Sequence, residues 1–190
     1  MRELTYYAAV SLDGFIAGPD GEFDRFLTEG DHMAAIGEKY RGTVPTALAE
    51  AFGIDVDGGP FDTVLMGWNT YAVGLPDLPD PYQHLRQIVF TRSHQAPDGA
   101  DGVEFTDRAP VEVVRELKRE DGAGIWLCGG GTLATALAGE IDRLVVKRNP
   151  VTLGGGIPLF APGGYAPASW RVESVTPFAS GVVLGEYARA

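Results

Sequence analysis

Short apolar runs alternate along the chain with segments whose apolar residues recur at helical spacing. The first run, residues 4–12, is typical of a buried strand and ends at an Asp13-Gly14 turn. Later runs predict strands at 15–17, 63–66, 87–91, 103–105, 125–128, 141–147, 170–176 and 181–187. Helices are predicted at 31–40, 46–52, 68–73, 110–120 and 132–138.

This alternation determines the expected fold class. Strands separated by helices are joined by crossovers, which make neighbouring strands parallel. The last two runs, 170–176 and 181–187, are separated only by a short turn and predict an antiparallel pair. We therefore expect one α/β domain over residues 1–190. It is a three-layer sandwich with a mostly parallel central sheet and antiparallel C-terminal edge strands.

Charge and composition limit the classes of partner and the cellular compartment that the sequence predicts. The net charge is −11, and an acidic surface repels phosphate backbones, so we expect no nucleic-acid partner. No apolar run approaches the ~18 residues of a membrane span, and the first residues lack the features of a signal peptide. Cys128 is the only cysteine, which fits a reducing cytoplasm. The histidines have no metal-ligand spacing, so we expect no metal.

A cluster of glycines stands between a predicted strand and a predicted helix. Gly129, Gly130 and Gly131 precede Thr132 at this junction. Glycines let the backbone approach a ligand closely, and free N–H groups at a helix start can bind a diphosphate. The cluster lacks the spacing of the dinucleotide fingerprint, and a tight turn explains it equally well.

Two other strand ends carry similar chemistry. Gly67, Asn69 and Thr70 follow one strand, and their N–H and hydroxyl groups can hold phosphate oxygens. Arg92 follows another strand between two hydroxyls, an arrangement that suits a phosphate monoester. Ligands of open α/β sheets bind outside the carboxyl ends of the strands. Together the three junctions predict a dinucleotide that carries an extra phosphate.

In order and spacing, these segments resemble the dihydrofolate reductase superfamily. The resemblance is closer to its bacterial branch, which is related to the reductase domain of riboflavin biosynthesis. The matching blocks are residues 9–17, 66–71, 88–93, 127–132, 144–146 and 153–160.

The resemblance implies NADPH as the cofactor. The blocks at 66–71 and 127–132 match family segments that contact the diphosphate of the cofactor. The block at 88–93 matches the family segment around its 2′-phosphate. Trp68 stands where dihydrofolate reductases often carry a basic residue, so the extra phosphate would depend on Arg92. The implied cofactor-binding residues are Ala9, Ile16, Gly67, Trp68, Asn69, Thr70, Thr91, Arg92, Ser93, Gly129, Gly130, Gly131 and Thr132.

The implied reaction is hydride transfer from the nicotinamide to a C=N or C=O bond of a small heterocycle. The acceptor is a pterin or a ribosylated aminopyrimidine. A proton must also arrive, from Asp24, Asp31 or a bound water, and Asp13 is a further candidate at the pocket mouth. Glu29 is another possible equivalent of the family's acid, whereas Lys147 is interpreted as a surface residue.

Two further expectations remain open. Because the acid within residues 22–31 has no clear match to the family pattern, the alternative function is a catalytically inactive nucleotide-binding module or sensor. We also expect a homodimer, because the C-terminal strand pair lies beyond the last matching block and can form a shared edge.

Overall fold

The computed structural model describes residues 1–190, and its elements follow the predicted alternation closely. The strands are β1 (Leu4–Val10), β2 (Phe15–Ala17), β3 (Phe61–Gly67), β4 (Arg86–Phe90), β5 (Val103–Thr106), β6 (Gly124–Gly129), β7 (Arg143–Arg148), β8 (Ile157–Pro158), β9 (Trp170–Pro177) and β10 (Val183–Arg189). The helices are α1 (Asp31–Lys39), α2 (Thr46–Phe52), α3 (Trp68–Ala72), α4 (Pro110–Leu117) and α5 (Gly131–Ala136). The longest of these helices has nine residues, too few to cross a bilayer.

Eight strands form one sheet in the order β5-β4-β3-β6-β1-β7-β10-β9. The strands from β5 to β7 are mutually parallel, and β10 and β9 add an antiparallel edge. The predicted sheet is therefore confirmed. A separate two-stranded pair, β2 with β8, was not predicted, and it joins the first loop to residues that follow β7.

Helices cover both faces of the sheet, which makes three layers. On one face, Val114 of α4 and Leu133 of α5 pack against Leu4, Leu65 and other strand residues. On the opposite face, aromatic and aliphatic residues of α1 and α3 form a second core with the strands. Its members include Ile36, Tyr40, Tyr71, Trp126, Val145 and Leu184.

The parallel strands bring their carboxyl ends to one edge of the sheet. Helices α3 and α5 begin directly after β3 and β6 at this edge, so the intervening turns lie side by side. The fold thus gathers the three predicted phosphate-binding junctions in one region.

Candidate functional site

The turns after β3 and β6 approach each other closely. A Cβ added to Gly130 would lie 3.7 Å from Thr70 Oγ1 and 3.8 Å from Ile16 Cδ1. Gly129 has a φ of +144°, a conformation that side chains rarely permit, so glycine is required there. The structure therefore brings Ile16, Thr70 and the glycine turn together, each within van der Waals reach of a Cβ placed on Gly130.

The glycine turn also packs directly against the segment that follows β7. A Cβ on Gly131 would lie 2.3 Å from the carbonyl oxygen of Pro158, so only glycine fits without movement. The Gly131 carbonyl accepts a hydrogen bond from the Ala161 N–H at 3.1 Å. Thr132, the second residue of α5, is exposed at the start of that helix.

The third junction opens a pocket of about 300 Å³ at the ends of β4 and β5. Arg108 lies at this pocket, but its guanidinium is held by both carboxylate oxygens of Glu116, at 2.6 and 2.8 Å. Arg92 is exposed and forms no ion pair with the protein. The residues that line the pocket are Trp68, Phe90, Thr91, Arg92, Ser93, His94, Thr106, Asp107, Arg108 and Pro110.

His94 is a member of this pocket that the sequence analysis missed. Its ring stacks on Trp68 with centroids 4.1 Å apart and planes 5° apart. Its Nδ1 lies 3.3 Å from Thr91 Oγ1 and 3.2 Å from Ser93 Oγ. The available signal was its position directly after the Thr91-Arg92-Ser93 triplet. Trp68 and His94 thus form an aromatic wall beside the free arginine.

The carboxylate of Asp13 is bound to other parts of the chain. It accepts hydrogen bonds from the Ser11 hydroxyl at 2.6 Å and from the Gly154 and Leu153 N–H groups at 2.7 and 3.1 Å. The Ser11 bond and these N–H groups lower the pKa of Asp13 to about 2. At neutral pH the group is therefore an anion that fastens the first loop to the segment before β8.

Asp31 and Asp24 lie in different surroundings from Asp13. Asp31 is the first residue of α1, and its carboxylate accepts hydrogen bonds from the Ala179 and Ser180 N–H groups at 2.7 and 3.0 Å. The Ala179 bond is the main reason why the pKa of Asp31 is lowered. Asp24 is exposed and pairs with Arg25 at 3.4 Å. Each of the three predicted acids therefore contacts a different segment.

The sheet face on the α1 side carries partly buried polar groups near the carboxyl ends of the strands. Burial raises the pKa of Tyr7 above its ordinary value and that of Cys128 to about 12, so both are neutral at physiological pH. Lys147 is only partly exposed, and burial lowers its pKa. Lys147 is therefore less exposed than the surface lysine that the sequence analysis expected, because β1 and β10 pair with β7 on both sides of it.

Comparison with known proteins gives both sequence and structural relatives. The model of the RibD C-terminal domain matches residues 2–184. The uncharacterized protein YwjB of Bacillus subtilis (strain 168) is 35% identical over 167 residues, covering 84% of this chain and 83% of its own.

Solved structures that share the fold include the following two. One is a protein provisionally assigned to riboflavin biosynthesis from Shewanella sp. PV-4, with a TM-score of 0.73, 23% identity and 99% of each chain covered. The other is dihydrofolate reductase from Enterococcus faecalis complexed with NADP(H) and RAB-propyl. Its TM-score is 0.66 at 19% identity, with 98% of this chain and 96% of the other covered.

Proposed function

Since the chain belongs to the RibD C-terminal domain family, we propose that it is an NADPH-dependent reductase of a small heterocyclic substrate. The acceptor is a pterin or a ribosylated aminopyrimidine, and the second would give the protein a role in riboflavin biosynthesis. A dihydrofolate reductase of the same fold is solved with NADP(H), which supports the choice of cofactor class.

The observation that carries the proposal is the free arginine in the pocket after β4. Arg92 lies beside two hydroxyls, Thr91 and Ser93, whereas the neighbouring Arg108 is already neutralised by Glu116. A guanidinium can bind a phosphate through two parallel hydrogen bonds. In a chain of net charge −11, a free cation among hydroxyls provides the local attraction that a 2′-phosphate needs.

The other predicted cofactor residues fit an extended dinucleotide. The Thr70 hydroxyl lies beside Gly129 and Gly130, which carry no side chain, and a diphosphate would approach the backbone of this turn. Gly67 and Asn69 lie at the turn before and in the first turn of α3, and Thr132 lies at the start of α5. Ala9 and Ile16 lie at the end of β1 and on β2, where they would line the nicotinamide pocket.

NADPH, when bound, supplies the hydride. The protein residues hold donor and acceptor face to face and exclude water, so that the reacting atoms start close together. Tyr7 and Cys128, both neutral, provide an uncharged floor on the acceptor side of the sheet. Specificity for the acceptor would then depend on the loops over this face, which include residues 18–60 and 74–86.

The cofactor proposal is tested by titrating the protein with NADPH and NADH while nicotinamide fluorescence is followed. We expect Arg92→Ala to weaken NADPH binding by about 10- to 100-fold, the range of a charge-assisted hydrogen-bonded contact, and to leave NADH binding nearly unchanged. The matched control is Arg115→Ala, which removes an exposed arginine on α4 that pairs with Glu140.

Equal losses for the two nucleotides would contradict the assignment of Arg92 to the 2′-phosphate. Failure of the wild-type protein to bind either nucleotide would overturn the reductase proposal itself.

An alternative function is a nucleotide-binding module or sensor without catalysis. The observation that favours it is that the carboxylates of Asp13 and Asp31 are occupied by backbone N–H groups and stay ionised. Oxidation of NADPH in the presence of pterins, quinones and aldehydes separates the two functions. Tight binding with no turnover of any acceptor supports the module, whereas turnover supports the reductase.

A further inference from the structure

Lys147 lies in the middle of the sheet, on the face that carries the acceptor side of the site. On β7 it pairs with Ala9 of β1 on one side and with Leu184 of β10 on the other. Val145, two residues earlier, packs in the α1-side core, while Val146 packs on the opposite face. Because side chains alternate along a strand, the Lys147 side chain points to the α1 side.

This position is next to the predicted nicotinamide pocket. Ala9 is one of the residues expected to line that pocket, and neighbouring strands lie only ~4.8 Å apart. Tyr7, Ala9, Cys128 and Lys147 are each partly exposed, although they belong to central strands. The carboxyl ends of β1, β6 and β7 therefore leave accessible space on this face.

Lys147 differs from the other two lysines of the chain in having no partner. The Lys39 ammonium lies 2.6 Å from Glu186, and the Lys118 ammonium lies 2.6 Å from Asp142. The Lys147 ammonium forms no ion pair and no hydrogen bond with the protein, and burial alone lowers its pKa. Burying an unpaired ammonium costs free energy, so its presence at this position points to a functional role.

No charge on the neighbouring elements is available to neutralise it. Besides Lys147, the titratable groups on this face include Arg143 on β7, Tyr7 on β1, Cys128 on β6, Tyr71 on α3, Tyr82 before β4, His32 and Lys39 on α1, Tyr40 directly after α1, and Glu186 on β10. Only Glu186 is a carboxylate, and it is already bound by Lys39, Tyr40 and Ser174. The strand neighbour Arg148 is exposed and points to the other face.

We propose that Lys147 is the residue that delivers the proton to the reduced substrate, an inference that rests on the reductase proposal above. The hydride forms the new C–H bond at the acceptor carbon, and the π electrons of the C=N or C=O bond move to the heteroatom. A bond between that heteroatom and a Lys147 proton forms while one Nζ–H bond breaks. The resulting neutral amine recovers its proton from solvent.

This assignment agrees with the state of the predicted acids. Asp13 and Asp31 are held as anions by backbone N–H groups, so each is a poor proton donor at neutral pH. A lysine whose pKa is lowered by burial is a stronger acid than an ordinary lysine, and it can take up a proton again between turnovers. The acceptor would place a basic nitrogen or oxygen next to Lys147.

The test uses the small number of lysines in the chain. Protein labelled with [ε-¹³C]lysine gives signals from Lys39, Lys118 and Lys147 only, and Lys147→Met identifies the third while keeping an apolar stem. The pKa of each lysine is measured by NMR with saturating NADP⁺ and with NADPH. If the Met variant does not fold, Lys147→Arg removes the same signal and retains the charge.

We expect the pKa of Lys147 to be the lowest of the three lysine pKa values. We also expect the Lys147 pKa to be lower with NADP⁺ than with NADPH, by roughly one unit. The reason is the positive charge of the oxidised nicotinamide, which is absent from NADPH. Lys39 and Lys118 serve as internal controls and should not differ between the states.

The outcomes separate this inference from the proposed function. If fluorescence shows that both nucleotides bind but the Lys147 pKa is the same with each, Lys147 is not beside the nicotinamide and the inference is overturned alone. If neither nucleotide binds, the reductase proposal fails, and the inference fails with it.

Discussion

Asp13 fastens two loops that lie far apart in the chain. Its carboxylate joins the turn after β1 to the N–H groups of Leu153 and Gly154. Because the folded-state pKa of about 2 is below the ordinary value of 3.8, the carboxylate stabilises the fold at higher pH. This contribution is complete above the ordinary pKa and is lost as the pH falls through the folded value.

We therefore expect Asp13→Asn to lower the Tm by a few degrees at pH 7 and to make little difference near pH 2. The measurement is thermal unfolding followed by circular dichroism at both pH values. Asp24→Asn is the control, because Asp24 is an exposed carboxylate that pairs only with Arg25. A Tm difference that is equal at both pH values would mean that the charge of Asp13 is not the cause.

Some single residues have surroundings that the sequence predicts, and others do not. The position of Arg92 at a strand end between the hydroxyls of Thr91 and Ser93 could be predicted from the sequence, and its role in binding phosphate stays a prediction. The state of Asp13 and Asp31 could not be predicted, because the backbone N–H groups that bind them lie far along the chain, at Leu153 and Gly154 and at Ala179 and Ser180. The burial of Lys147 likewise depends on strands that pair with it from both ends of the chain.

Among the elements, α5 and β8 make a tight contact at the site. The first residue of α5, Gly131, leaves no room for a Cβ against the Pro158 carbonyl oxygen, which is backbone and cannot rotate away. The two-residue strand β8 carries no apolar pattern of its own and contains a proline, so nothing in the sequence predicts it. The longer strands were predicted because turn residues bound each apolar run.

We expect Gly131→Ala to lower the free energy of unfolding by about 1–3 kcal/mol, the usual cost of overpacking. Gly139→Ala is the matched control, since an added Cβ there meets nothing within 4 Å. Urea denaturation of both variants measures the difference. An unchanged stability of Gly131→Ala would show that β8 moves freely away from the glycine turn.

The whole molecule has a sheet with two open edges, β5 and β9. Strand β9 exposes Val172 and Val175 by 57% and 53%, although both have high strand propensity. Antiparallel pairing of two copies centred on Val172 would set each Arg171 opposite the Glu173 of the other copy. The edge thus offers exposed apolar side chains to a two-fold interface, although Glu173 is already paired within the chain with Arg143 and Arg171.

The predicted homodimer follows from this edge. We expect sedimentation at micromolar concentration to give twice the chain mass, and Val172→Asp to give the monomer. Leu48→Asp, an exposed position on α2, is the control and should stay dimeric. A monomeric wild-type protein would refute the prediction.

At this scale the family and the fold are confirmed, since the RibD C-terminal domain model covers most of the chain. Strand order and register could not be predicted, because they depend on which apolar faces meet across the whole sheet. The cytoplasmic location, based on a lone cysteine, stays a prediction.

The central place of β1 has a consequence for how the protein matures. This strand is made first but pairs with β6 and β7, which are made more than 110 residues later. A nucleotide bound as proposed could therefore not act as a template for the early chain, because the residues proposed to hold it converge only when the sheet is complete. Its binding can only stabilise the completed fold, raising the free energy of unfolding by about 2.7 kcal/mol at a concentration 100 times its Kd. Cellular NADPH would in that case set how long completed molecules survive, and not how quickly new ones form.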